Sequence, residues 1–195
     1  MQSKEKLAAV ICVEDPLREE AADAVRELKE AGITKVVMMT GDSERTAAAI
    51  AKRVGVDEYY SEVLPEDKAS FVEKEKELGH KVIMIGDGIN DSLALSSASV
   101  GIAISDGAAI AREIADVTIS ADNLHEIVTL KRLSTALMKR IHNNYRTIIG
   151  INGGLIALGV TGIIMPTTSA LLHNMSTLTI SLRSMRNLLP KEEEA

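Results

Sequence analysis

The 195 residues are 46% hydrophobic and 26% charged, enough to bury a sizeable core in one domain that carries an appendage. Aromatic residues make up only 2% and the formal net charge is -6, which argues against base-stacking platforms and phosphate-backbone binding, so no nucleic acid partner is expected. The single cysteine, Cys12 in the apolar run LAAVICV, excludes a disulfide framework and fits a buried thiol in a reducing compartment, and the opening MQSKEKLAAV lacks the apolar core of a signal peptide.

Up to about residue 123 the chain is acidic and alternates short apolar runs with amphipathic segments. Strands are predicted at 7–13, 35–40, 81–85, 100–104 and 117–120. Helices are predicted at 18–31 before Gly32, 43–54 before Gly55, 65–78 before Gly79, 91–98, and more briefly 108–115. This alternation calls for an α/β fold with a doubly wound parallel sheet, since successive strand-helix-strand units cross over with one hand. No internal repeat is visible.

The stretch KVIMIGDGINDSLAL, 81–95, carries the strongest chemical signal. Its apolar run Val82, Ile83, Met84 and Ile85 reads as a strand covered on both faces, and ligands of such sheets lie just past the strands' carboxyl ends. Asp87 stands there between Gly86 and Gly88, while Asn90 and Asp91 open the next helix as capping residues do. Oxygen donors of this kind suit Mg2+, which keeps several waters and shares its site with phosphate. A lone Asp-Gly turn is usually only a turn; two Asp, one Asn and two Gly within residues 86–91 point to a site.

Two further segments repeat the logic. MMTGDSERT, 38–46, ends a strand at Thr40, Gly41 and Asp42 and starts a helix at Ser43, offering a hydroxyl and free N–H groups as a phosphate cradle. LPEDKAS, 64–70, places Pro65 at a helix start and Lys68 one turn in, where a cation can clamp a phosphoryl oxygen. Taken singly, a capping turn and a solvated surface lysine look the same as these; the three together are far more specific.

Beyond 123 the character changes. Segment 124–146 is basic and helical, with Lys131, Arg132, Lys139, Arg140 and Arg146. The charge-free run 147–165 is about long enough to cross a hydrocarbon core, residues 165–168 read as a turn, and a second uncharged stretch covers 169–182 before Arg183, Arg186 and Lys191. Basic residues at both outer limits place both ends of this transmembrane hairpin in the cytoplasm. His173, Thr177 and Ser181 share one face of the second span, with Asn174 beside them. The hydroxyls read as helix-to-helix hydrogen-bonding groups; for His173 and Asn174, packing and cation binding are both open.

Taken in order, DPLRE at 15–19, MTGD at 39–42, LPEDK at 64–68, GDGINDSLAL at 86–95 and LLHNMSTLTISLRSMRNLL at 171–189 resemble the C-terminal portion of a heavy-metal-transporting (type IB) P-type ATPase of the haloacid dehalogenase-like superfamily. The resemblance covers essentially the whole chain. It implies that Asp87 coordinates Mg2+ and that Thr40, Gly41, Lys68 and Asn90 hold phosphoryl oxygens. Asp91 would support that loop and the metal shell, Asp42 would face the attacking or nucleotide side, and His173 and Asn174 occupy the stretch of transported-ion ligands. It further implies a multi-pass cell-membrane protein with a cytoplasmic soluble domain, working with ATP, a heavy-metal cation, membrane lipid and the N-terminal remainder of a pump. The expected organisation is a partial phosphorylation domain at 1–123, a basic linking helix at 124–146, two transmembrane helices within 147–189 and an acidic tail at 190–195.

The departures from that family are as informative. Its phosphorylated aspartate lies in a DKTGT motif, and the sequence contains none, so the chain alone is expected to be inactive as a cation-translocating ATPase. The nucleotide-binding domain, the actuator domain and the earlier membrane helices are also absent from these residues. Two alternatives are a non-catalytic Mg2+- or phosphate-binding regulatory module, and a soluble-type phosphatase using Asp15. The phosphatase chemistry needs an acid two residues on, where Leu17 stands.

Overall fold

The computed structural model of the protein describes residues 17–86, 90–104, 113–119 and 123–189. The predicted strand at 7–13, most of the 108–115 helix, the 190–195 tail, Cys12, Asp15 and Asp87 lie outside these residues. The chain divides into two compact units, 1–125 and 126–195.

The first unit alternates strands and helices as the sequence predicts, with one strand, β2 (Glu58–Tyr60), that it does not: α1 (Ala21–Glu30), β1 (Val37–Met39), α2 (Glu44–Val54), β2, α3 (Pro65–Glu77), β3 (Ile83–Gly86), α4 (Ser92–Ser97), β4 (Val100–Ile104) and β5 (Val117–Ile119). All pairings are parallel, Val37 lying opposite Glu58, Ile83 opposite Val100 and Ile102 opposite Val117. Among the described residues the strands form two sheets, β1-β2 and β3-β4-β5, where the sequence suggested one. β4 is hydrogen-bonded on both sides, and its Gly101, Ile102 and Ala103 are buried. β3 corrects an expectation. Its run was read as covered on both faces, yet Ile83 is 41% exposed and Val82, Met84 and Ile85 are only half-buried, because among the described residues β3 has a strand neighbour on one side alone.

Helices α3 and α4 build the core next to the site. Ala69 and Val72 of α3 meet Ala94 of α4, with Val82, Met84 and Ala98 packed against them. Full burial of a side chain such as Val72 stabilises by about 1.5–3 kcal/mol. α4 also lies close enough to β4 to require glycine at 101, where a Cβ would fall 2.7 Å from the Leu95 carbonyl oxygen. α3 begins cleanly because Pro65 occupies its first turn and Asp67 Oδ2 accepts the Leu64 N–H at 3.1 Å.

The second unit is built on α5 (His125–Val160) and α6 (Pro166–Ser184). The basic segment and the first apolar span, expected as separate pieces, are one continuous helix; no proline interrupts them, and glycines at 150, 153 and 154 cost only about 1 kcal/mol each in a helix. The turn falls earlier than expected, since Pro166 already stands in the first turn of α6 behind an extended Met165. Two helices joined by a turn are thus present, but no described helix is long and apolar enough to cross a membrane. The charge-free run is helical only to Val160, and α6 is diluted by its Ser, Thr, His and Asn residues. The hydroxyls of Thr177 and Ser181 also differ from expectation: they donate to carbonyls four residues back on α6 itself, at 3.0 and 2.9 Å, not across to α5.

The two helices are joined near the C-terminus of α6. Arg140 of α5 donates from Nη1 to the carbonyls of Ser184 and Arg186, at 2.9 and 2.5 Å, and from Nη2 to that of Asn187 at 2.9 Å. Asn144 Nδ2 adds a bond to Ser184 Oγ at 2.7 Å. A guanidinium placed there satisfies carbonyls that a helix end leaves unpaired and complements the negative end of its dipole.

Candidate functional site

Thr40 follows β1 directly, and its loop is folded on itself. Thr40 Oγ1 donates to Asp42 Oδ2 at 2.8 Å and accepts the Asp42 N–H at 3.1 Å. The backbone is fixed from the other side by the segment after β2: Thr40 N–H donates to the Tyr60 carbonyl at 3.0 Å, Val63 N–H to that of Thr40 at 3.0 Å, and Glu62 N–H to that of Asp42 at 2.9 Å. In a trans peptide the C=O and N–H point opposite ways, so the N–H groups of Gly41 and Ser43 are directed away from 61–63. Both N–H groups lie at the start of α2, where backbone donors are left without helical partners.

The same segment runs into α3 through Leu64, and one turn along stands Lys68. Its Nζ donates to Asp91 Oδ1 at 2.7 Å, with the two side chains 16% and 12% exposed. Asp91 sits at the N-cap of α4 and lies over the end of β3: a Cβ on Gly86 would fall 2.7 Å from Asp91 Cβ and 2.8 Å from Cγ. Lysine, carboxylate and strand end are therefore brought together, and Thr40, Gly41 and Asp42 are linked to them through 61–64. Asn90 is exposed beside Asp91, and Asp87 lies outside the described residues.

Glu44 and its partners escaped the sequence reading. Glu44 opens α2 and accepts from Tyr59 OH at 2.7 Å and Ser61 Oγ at 2.5 Å. The Ser61 and Tyr59 hydroxyls hold its carboxyl below the usual range, and Glu44 in turn raises the Tyr59 phenol. Just before β2, Asp57 accepts from Lys29 Nζ and the Val36 N–H, both at 2.7 Å, and at its first residue Glu58 pairs with Lys35 at 2.8 Å. The lysine partner is in each case the first cause that lowers the carboxyl pKa, and Glu58 raises that of Lys35.

In the second unit, His173 and Asn174 line an open cleft of about 660 Å³ between α5 and α6. His173 Nδ1 lies 2.9 Å from Asn152 Oδ1 of α5. With Nδ1 protonated toward that oxygen, Nε2 keeps the lone pair that a metal ion would use. Asn152 was not singled out from the sequence, because its partner is 21 residues away and reaches it only when the helices fold back.

Residues 2–99 match the haloacid dehalogenase-like hydrolase family. The zinc-exporting P-type ATPase of Mycobacterium marinum is 36% identical over 181 residues, covering 92% of this chain and 25% of that protein. The copper-transporting ATPase 2 of Rhizobium meliloti is 42% identical over 167 residues, covering 86% and 20%. A crystal structure of a zinc-transporting PIB-type ATPase in the E2.Pi state superposes with a TM-score of 0.82 at 34% identity, covering 91% of this chain and 29% of that one. The chain thus spans about a quarter of the length of these relatives. With parallel strands alternating with helices and a family match over half of its length, the chain belongs to the haloacid dehalogenase-like hydrolase family, and its relatives are heavy-metal P-type ATPases.

Proposed function

We propose that this chain supplies the magnesium- and phosphate-binding half of the phosphorylation site of an ATP-driven heavy-metal cation pump, together with a helical hairpin of its membrane part. The observation that carries this reading is the Lys68–Asp91 pair at the end of β3, linked through Leu64 to the Thr40 loop. Lys68 binds a phosphoryl oxygen as a cation, Thr40, Gly41 and Asn90 donate to the remaining oxygens, Asp42 faces the attacking or nucleotide side, and Asp91 holds Lys68 and supports the metal shell. Asp87 is the primary Mg2+ ligand.

Among the described residues no group of three or more His, Cys, Asp or Glu is arranged to hold a metal. A Mg2+ site made from one or two carboxylates, water and phosphate needs no such group, and the hard oxygens of Asp91 at the strand end have this chemistry. When bound, the ion would neutralise charge on the transferring phosphoryl group. The attacking aspartate and the ATP-binding residues come from sequence this chain does not carry, so it does not turn over alone.

The hairpin reading is supported by the charge-free stretch from 147 to 182 and by outward-facing apolar residues such as Val160, 84% exposed, and Ile163, 70% exposed. In this reading α5 beyond residue 147 and α6 meet lipid, the soluble unit and both termini are cytoplasmic, and the transported cation meets His173 and Asn174 beside Asn152.

The test is calorimetric titration of the chain with inorganic phosphate, with and without Mg2+. Binding that requires Mg2+ and is lost in Lys68→Ala is expected. Equal affinity of wild type and Lys68→Ala would contradict the assignment.

A further inference from the structure

We propose that Glu44 is a positioning residue of the phosphate cradle: by gripping Tyr59 and Ser61 it holds 61–63 against the Thr40 loop and so aims the Gly41 and Ser43 N–H groups at the anion. The inference rests on the phosphate reading given above and adds a residue of the segment 38–46 to which the sequence alone assigned no role.

A carboxylate beside an anion site is electrostatically unfavourable unless it is engaged elsewhere. Glu44 follows Asp42 and Ser43 immediately, yet both its oxygens are turned to hydroxyls of the neighbouring strand, Oε1 to Tyr59 at 2.7 Å and Oε2 to Ser61 at 2.5 Å. Its position in the first turn of α2 also sets its charge against the positive end of the helix dipole. Ser61 is followed by Glu62, held at φ +54°, a left-handed conformation unusual for any residue but glycine. That twist presents the N–H groups of Glu62 and Val63 to the Asp42 and Thr40 carbonyls, at 2.9 and 3.0 Å. With those carbonyls occupied, the N–H groups of Gly41 and Ser43 face the other way. The hold extends onward, since 61–63 leads into Leu64 and the turn of α3 that carries Lys68. One carboxylate thereby sets the geometry of both the loop donors and the lysine.

The test follows backbone amide exchange by NMR in the full chain, and binding of inorganic phosphate with Mg2+. Glu44→Ala is expected to speed exchange of the Glu62 and Val63 amides and to weaken phosphate binding, each roughly tenfold, as loss of a hydrogen bond to a charged group implies. Glu44→Gln, which still accepts a hydroxyl, should recover part of both. Ser61→Ala and Tyr59→Phe each remove one donor and should give smaller versions, so the test survives if Glu44→Ala does not fold. Unchanged exchange at Glu62 and Val63 in all four variants overturns the proposal, as does faster exchange with phosphate affinity intact. Faster exchange in a chain whose wild type binds no phosphate upholds the hold of Glu44 on the loop and sinks the phosphate reading instead.

Discussion

Lys68 Nζ donates to Asp91 Oδ1 at 2.7 Å across 23 residues of sequence, and both side chains are mostly buried. The pair joins the first turn of α3 to the N-cap of α4, the two helices whose Ala69, Val72 and Ala94 build the core beside it. The cation that would meet a phosphoryl group is thus held in place by a carboxylate.

Removing one partner leaves the other charge poorly solvated. Asp91→Ala should lower the stability of the first unit by about 2–4 kcal/mol in urea unfolding, somewhat below the range for fully buried pairs because both side chains keep some exposure. The double variant Lys68→Met with Asp91→Leu, which removes both charges, should recover most of that loss. An unchanged midpoint in Asp91→Ala would show that the pair contributes nothing.

Gly86 makes room for Asp91. A methyl group there would meet the Asp91 side chain well inside contact distance, so Gly86→Ala should displace the carboxylate and cost about 1–3 kcal/mol. In an Asp91→Gly background the same change should cost much less, which thermal unfolding of the four species reads directly.

The pairs around β2 fix a pH profile. Asp57, Glu58 and Glu44 have carboxyls held below their ordinary values, so their contribution is present above the unfolded pKa and lost as pH falls through the folded one. Lys35 and Tyr59 are raised, so theirs is present below the unfolded pKa and lost as pH rises through the folded one. The urea midpoint should be flat between about pH 5 and about pH 9 and fall on both sides. Asp57→Asn should flatten the acid limb and Lys35→Met the alkaline limb.

Arg140 closes the C-terminus of α6 with a planar fork that reaches three carbonyls. Arg140→Ala should speed amide exchange in the last turn of α6, around Ser184, and Arg140→Lys should not restore it, because an ammonium lacks that fork. Hydrogen-exchange mass spectrometry of the C-terminal peptide measures this.

The sequence made α2, α3 and α4 legible because each has a local stop or start: Gly55 after α2, Pro65 at α3, Asp91 before α4. It also brought Thr40, Lys68 and Asp91 forward as one candidate site. β2 was missed since Glu58 and Tyr60 are exposed and no apolar run marks them; parallel pairing with β1 makes the strand. Glu44 and Asn152 were missed for a related reason, their partners being 15 and 21 residues away, beyond any local pattern. The continuity of α5 across residues 146–147 was not legible, because a change in polarity is not a break in the backbone.

The central claim is tested most directly by coexpressing this chain with a polypeptide that carries DKTGT, a nucleotide-binding domain and the earlier membrane helices, and following transfer of the ATP γ-phosphate. Acid-stable, Mg2+-dependent phosphorylation of that polypeptide is predicted only when this chain is present, and it should vanish with Asp87→Asn or Lys68→Ala. Persistent absence of phosphorylation with both polypeptides folded and associated, or equal phosphorylation without this chain, would contradict the account.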